Sequence, residues 1–128
     1  MQNLPNFEIS GKRAIYRPVG KVSFEQAVDL VAAAMKAARA AGCVDMLANV
    51  CGLSGFASPT TINRYAMAQR WAENSGTQLR VAMVVRPEHM DPQKIGVLMA
   101  QNRGVSGDVF LNEVSALAWL DLRHDSHT

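Results

Sequence analysis

MLANVCGLSGFASPTTINRYAMAQRWAENSG, residues 46–76, divides into an apolar run, a glycine-bearing loop and a helix with its own start and stop. Met46 to Val50 is short and almost unbroken in apolar character, which suits a strand covered on both faces. Periodicity alone does not separate such a run from a buried helix segment, and its length favours the strand. Gly52, Ser54 and Gly55 interrupt the pattern, and Ser58-Pro59-Thr60-Thr61 offers a serine cap followed by proline at the first helical position. The spacing predicts a helix from Pro59, stopped by Glu73-Asn74-Ser75-Gly76. Sites in open α/β sheets lie beyond the carboxyl ends of strands, which directs attention to the loop from Cys51 to Ser58.

Working outward, the chain before residue 46 reads as a hairpin and a helix. Phe7 and Ile9, then Ser10-Gly11-Lys12, then Ala14 to Val19 predict two strands joined by a tight turn. Pro18 has no N–H, so the second strand ends there or lies at an edge. Ser23-Phe24-Glu25-Gln26 has capping-box spacing. Phe24, Ala27, Val28, Val31, Ala34, Met35 and Ala38 share one face of the helix that follows, and Gly42 closes it in left-handed geometry.

After residue 76, Leu79 to Val85 predicts a strand with Leu79, Val81, Met83 and Val85 on one face and Arg80, Ala82 and Val84 on the other. A loop, Arg86 to Met90, leads to Asp91-Pro92 and a short third helix with Ile95, Leu98, Met99 and Asn102 on one side, closed at Gly104. Val109 to Leu111 predicts a last strand. Asn112-Glu113 caps a final helix that turns Ala116, Leu117 and Leu120 inward with Trp119 close by. The expected class is α/β, in the order β-β-α-β-α-β-α-β-α, with a mixed four- to five-stranded sheet, an N-terminal hairpin and about four helices. One domain, 1–122, is expected, followed by a polar tail at 123–128.

Composition sets bounds on function. The 128 residues are 48% hydrophobic and 19% charged, enough for one unstapled core. A net charge of +2 dispersed over single arginines argues against a nucleic-acid partner. Two cysteines, Cys43 and Cys51, without a secretory leader suggest a reducing, cytoplasmic setting. No apolar run reaches the roughly 20 residues that span a bilayer.

No metal centre is expected, because ligation needs several Cys, His or carboxylate groups converging at ligand spacing, and the three histidines are His89 in a loop with His124 and His127 in the tail, with no pair at i, i+4 on a helix. No cofactor is expected either: Gly52 and Gly55 are followed by no lysine, and Pro59 removes an N–H from the helix start, so the loop lacks the makings of a phosphate cradle. Cys51, Ser54 and Ser58 with His89 as base could be written as a hydrolase, yet Gly52-Leu53-Ser54-Gly55 lacks the nucleophile-elbow spacing and no third group orients the base. The chain is therefore read as a non-enzyme with no catalytic residues.

The second helix has more apolar surface than one sheet needs. Ile62, Tyr65, Ala66 and Gln69 form one face, and Arg64, Met67 and Trp71 another. Exposure for a partner and packing against a neighbouring helix or dimer mate both account for this.

Val19-Gly20-Lys21-Val22, the capped first helix, Asn49-Val50-Cys51-Gly52-Leu53, the helix from Pro59, the strand Leu79 to Val85, Arg86-Pro87-Glu88 and the ending Val109 to Leu120 together resemble a STAS-like domain, the fold of anti-sigma-factor antagonists and of sulfate-transporter cytoplasmic regions. The ending looks most like the stand-alone bacterial branch, sometimes grouped with lipid-binding CRAL/TRIO-like domains. In the antagonists an Asp-Ser-Ser-Gly motif opens a helix, its first serine being phosphorylated. The resemblance places Asn49 at a strand-ending aspartate, Ser58 at the switch serine, and Ala57, Pro59 and Thr60 at motif positions that differ. It implies a regulatory or scaffold module that binds a protein partner through residues 51–58 and the helix at 59–74, with Ser58 as a degenerate phospho-switch. The alternative is a small-ligand or lipid-binding domain with an apolar pocket near the same loop. The residues expected at either site are Cys51, Leu53, Ser54, Phe56, Ser58, Arg64, Met67 and Trp71, and a homodimer is expected from the apolar surplus.

Overall fold

The computed structural model describes residues 4–56, 60–75, 79–90, 95–102, 104 and 106–125. Five strands form the main sheet: β1 (Phe7–Ser10), β2 (Arg13–Tyr16), β4 (Asp45–Asn49), β6 (Arg80–Val84) and β7 (Ser106–Phe110). They stand side by side in chain order, β1-β2-β4-β6-β7, with β1 antiparallel to β2 and every later pair parallel. The expected α/β architecture, mixed sheet and opening hairpin are present, and Gly11 takes the positive φ of 62° that its turn requires.

Helices α1 (Phe24–Ala40), α2 (Thr61–Ser75) and α3 (Ile95–Asn102) make the three parallel crossovers. Because the strand order never reverses, right-handed crossovers carry all three to the same side of the sheet. The other side receives a single helix, α4 (Glu113–Asp125). On the three-helix side the core unites Ala14, Tyr16, Met46, Ala48, Val81 and Met83 with Val28, Val31, Met35 and Trp71. On the α4 side Leu47, Ala82 and Val84 meet Ala116 and Leu120.

The first helix starts as its sequence demands: the Ser23 hydroxyl accepts from the Gln26 N–H at 3.1 Å and the Gln26 side chain accepts from the Ser23 N–H at 2.9 Å. Gly42 follows at φ 82°. Asn112 caps α4 by accepting from the Ser115 N–H at 2.8 Å.

Several boundaries differ from expectation. The second strand stops at Tyr16, and Gly20–Lys21 forms a separate short strand, β3, parallel to β5 (Leu53–Ser54). What reads as one loop, 51–58, thus contains a strand. The last strand occupies Ser106–Phe110 rather than 109–111, and α4 continues through Asp125, into the stretch expected as a polar tail. Ser58, Pro59, Gly76, Asp91, Pro92 and His127 lie outside the described residues. The helix start expected at Pro59 moves to Thr61, because Thr60 and Asn63 form a reciprocal cap: the Thr60 hydroxyl accepts from the Asn63 N–H at 3.1 Å, and Asn63 Oδ1 accepts from the Thr60 N–H at 3.3 Å. In α3, Leu98 and Met99, expected on one side, part company: Leu98 is 55% exposed, while Met99 packs against Ala68 and Ala72 of α2.

Candidate functional site

The carboxyl ends of β4 and β6 do carry the features of interest, but a sheet without a strand-order reversal has no crevice between diverging crossovers. The concavity is instead built between helix and loop. Gly52 and Gly55 make this possible. A Cβ on Gly52 would stand 2.8 Å from the Pro18 carbonyl oxygen, and one on Gly55, whose φ is 102°, would stand 2.8 Å from the Val22 carbonyl oxygen. The glycines let the 52–55 backbone lie against residues 18–22, where the Gly20 N–H donates to the Gly52 carbonyl at 3.1 Å and the Val22 N–H to the Ser54 carbonyl at 2.7 Å. The pairing turns Leu53 inward, where it is 0% exposed.

The chain leaves this small sheet at Phe56, which crosses to α1 and to the short 3₁₀ turn Pro87–His89 after β6. Phe56 stacks on His89 at 4.9 Å with an interplanar angle of 21°, and Phe24 of α1 meets it edge-on at 6.0 Å. Beneath the three rings lies a partly open cavity of about 100 Å³. Ala27, Val28 and Val31 form its α1 wall, Val50, Val85 and Val109 its sheet wall, and Met67 and Trp71 its α2 wall, with Met90 and Val97 completing it. Arg64 and His89 supply the polar lining. Trp71 is only 9% exposed, and its indole N–H donates to the Val28 carbonyl at 3.1 Å, which fixes the ring and joins α2 to α1.

A polar cluster sits on the opposite side of the same sheet end. Arg17 donates twice to Glu113, at 2.8 and 2.9 Å, and Asn49 Nδ2 donates to the same carboxylate at 2.8 Å. Asn49 Oδ1 accepts from the Cys51 N–H at 3.0 Å, and Arg86 donates to the Cys51 carbonyl at 2.8 Å. The Arg17 hydrogen bond, helped by Asn49, lowers the Glu113 pKa to about 2. Burial pushes the Cys51 thiol up, outweighing the influence of Arg86, so at neutral pH the group is a thiol rather than a thiolate nucleophile. The cluster anchors the start of the loop to the first turn of α4.

The expected site residues therefore separate. Phe56, Arg64, Met67 and Trp71 come together around the cavity. Leu53 is buried by the β3–β5 pairing, and Trp71 is buried by the packing of α2 on α1 while its ring lines the cavity. Cys51 belongs to the polar cluster, and half-buried Ser54 contributes its carbonyl to the small sheet. Of the second helix's two faces, Arg64, Met67 and Trp71 turn to the cavity, while Ile62 and Tyr65 are 80% and 48% exposed. Phe24, His89 and Met90 were missed as site residues. An aromatic at the first position of a capped helix, facing a loop after a neighbouring strand, is the signal that could have found Phe24.

A wider, flatter depression lies at the other end of α1, beside Lys36, Arg39 and Cys43, remote from these loops. Among the described residues no cluster of His, Cys, Asp and Glu could hold a metal ion, and no helix is long and apolar enough to cross a membrane. No protein-family model matches the chain, and no curated protein matches it.

Proposed function

We propose that this chain is a non-catalytic module that binds a small, mainly apolar molecule in the cavity beneath Phe24, Phe56 and His89. The observation that carries the reading is the composition of the wall: aliphatic, aromatic and methionine side chains throughout, interrupted by Arg64 and His89 alone among the described lining residues. Such a concavity with a few polar groups is the common form of a small-molecule site. The STAS-like assignment belongs to the same proposal and is supported by the element order and by the capped first helix. A reducing cytoplasmic setting fits the two free thiols, Cys43 and Cys51.

Native mass spectrometry of the protein purified from its source cells tests the reading. A discrete small mass increment, lost on organic extraction and restored by the extract, is expected. A bare polypeptide mass together with no change in melting temperature on adding the extract would overturn it.

A second reading, a regulatory or scaffold module with a protein surface and a homodimeric state, is favoured by the exposure of Ile62 and Tyr65 on the outer face of α2. Its switch would be Ser58, outside the described residues. Light scattering at high micromolar concentration should then give a dimeric mass that Ile62→Glu reduces, and a monomeric wild type sinks the dimer.

A further inference from the structure

Of residues 113–122 in α4, only Glu113, Ser115 and Asp121 are polar. A helix that is apolar nearly all round belongs inside a structure rather than on its surface. The sheet covers one side of it, through Ala116 and Leu120. On the outer side Val114 and Leu122 are 79% and 66% exposed, with exposed Ala118 between them at i, i+4, i+8 spacing. The sheet surface beside α4, over β1 and β2, needs no such cover, because Glu8, Arg13 and Arg17 surround Ile15 there. Uncovered apolar area on this side of the molecule is thus concentrated on the α4 stripe.

We propose that the stripe is the contact between two copies of the chain, packed α4 against α4 in antiparallel direction about a two-fold axis at Ala118. The proposal rests on the homodimeric state of the second reading above, places the contact on α4 instead of α2, and is independent of what the cavity holds.

Symmetry singles out a second copy as the occupant. A two-fold contact has to be complementary to itself. Val114 and Leu122 lie at equal distances along the helix on either side of Ala118. Antiparallel packing therefore sets Val114 against Leu122 of the partner subunit at both ends. The alanine at the crossing lets the helix axes approach to about 8 Å, the near end of the usual packing distances.

Charge fixes the direction. Glu113 and Asp121 lie on the edge of α4 that faces β2, where Arg17 and Arg13 hold them. Arg17 gives Nε and Nη2 to Glu113, leaves Nη1 outside that clamp and is half exposed. At the other end Arg13 is divided between Asp45 and Asp121, two carboxylates to one guanidinium, and Asp121 is mostly exposed. Antiparallel packing keeps the two β2-facing edges on one side and lays Arg17 beside Asp121 of the partner subunit, twice over. Parallel packing puts those edges on opposite sides and makes neither pair. Exposed ion pairs add little affinity, but they select the register.

The same arrangement turns both three-helix sides outward, so α2 stays outside the contact and neither cavity is closed. A helix of 13 residues is about 20 Å long. One face of it buries less than the roughly 800 Å² per partner of a standard interface. The dimer should therefore dissociate on dilution through the micromolar range.

Sedimentation equilibrium from low to high micromolar protein tests the proposal. Wild type should pass from monomer to dimer. Val114→Glu and Leu122→Glu, both on the surface, should each weaken association roughly tenfold or more at an unchanged melting temperature, while Ile62→Glu on α2 should leave it unchanged. Arg17→Glu and Asp121→Lys should each weaken self-association, because each sets like charges together at both ends. Mixed in equal amounts, these two chains oppose acid to base at both ends and should recover the dimer.

A dimer dissolved by Ile62→Glu and untouched by Val114→Glu and Leu122→Glu overturns the α4 contact and leaves the second reading standing. Charge-swapped chains that melt as wild type does yet fail to recover on mixing overturn the antiparallel packing; should either melt lower, Val114→Glu and Leu122→Glu decide. A monomeric wild type at high micromolar concentration overturns both the α4 contact and the dimer of the second reading. If that monomer also sediments with phosphatidylglycerol vesicles and loses them on Val114→Glu, the stripe belongs to a lipid surface instead.

Discussion

The two faces of the sheet hold their helices by different means. On the three-helix side the sheet and the helices over it meet in an apolar core; α2 is joined to α1 by the Trp71 hydrogen bond, which orients a large buried ring, and at the surface by Arg39 donating to the Asn74 carbonyl at 2.8 Å and by Arg70 with Asp29 at 3.3 Å. On the α4 side the apolar stripe of Ile15, Leu47, Ala82, Val84 and Phe110 is one helix wide, and three arginines fasten the helix around it. Arg13 makes two hydrogen bonds to buried Asp45, at 2.9 and 3.1 Å, and reaches Asp121 of α4 at 2.9 Å. Arg17 holds Glu113, and Arg80 lies 4.2 Å over the Trp119 ring while donating to the Leu120 carbonyl at 3.1 Å. A face shared by three helices can leave a void between them, since no single contact has to close it. A face served by one helix needs every contact, and the cavity accordingly lies on the crowded side.

That contrast can be broken at defined points. The largest loss is expected from Trp71→Ala, which removes the indole and its hydrogen bond and should cost about 4 kcal/mol of stability in denaturant unfolding. A cost under about 1 kcal/mol would mean that α2 is held to α1 by something other than Trp71. Arg13→Met should cost about 3 kcal/mol, because Asp45, 1% exposed, loses the guanidinium that makes two hydrogen bonds to it. The pair sharpens the comparison: Arg13→Met with Asp45→Leu should recover most of that loss, whereas no second substitution recovers Trp71→Ala.

Gly55→Ala should cost about 2 kcal/mol, since the new methyl meets the Val22 backbone at a φ that side chains rarely adopt. Thermal unfolding with Phe24→Leu as a control would separate this backbone effect from loss of the aromatic cluster.

The smallest effect belongs to the exposed clamp. Glu113→Gln should cost about 1 kcal/mol at neutral pH, because Arg17 is half exposed and water screens the pair. Its pH dependence has a definite sign. The folded pKa of about 2 lies below the unfolded value, which is about 4.3. The contribution is full above the unfolded value and is lost as pH falls towards about 2. Wild type should therefore lose stability more steeply than Glu113→Gln across that window, and parallel curves would show that the clamp is not formed in solution.

The elements that periodicity and caps announce were legible. Ser23 with Gln26 marks the start of α1, and alternation from Leu79 to Val85 assigns its residues correctly to two faces. The 51–56 segment was not legible, because two-residue strands carry no period and are defined only by the chain they meet, here Gly20–Lys21. The inward turn of Leu53 follows from that distant pairing. Part of the cavity could be located, since Phe56, Arg64, Met67 and Trp71 come from the suspected loop and helix, but Phe24, His89 and Met90 come from other elements and meet them only in the folded chain. The α4 clamps were invisible for the same reason: Arg13 and Asp121 are 108 positions apart.

That separation has a consequence for biosynthesis. Neighbouring strands in the main sheet follow one another along the chain, so the hairpin and crossovers can assemble in the order in which they emerge. Helix α4 breaks this locality by returning from β7 to grip β2. Until residues 113–125 have been made, Leu47, Ala82 and Val84 lie bare on one side of a sheet that is otherwise ready to form. From the completion of β6 until α4 is made, the nascent chain thus carries a sticky surface, and a chaperone that shields flat aliphatic patches would meet it there, before α4 does.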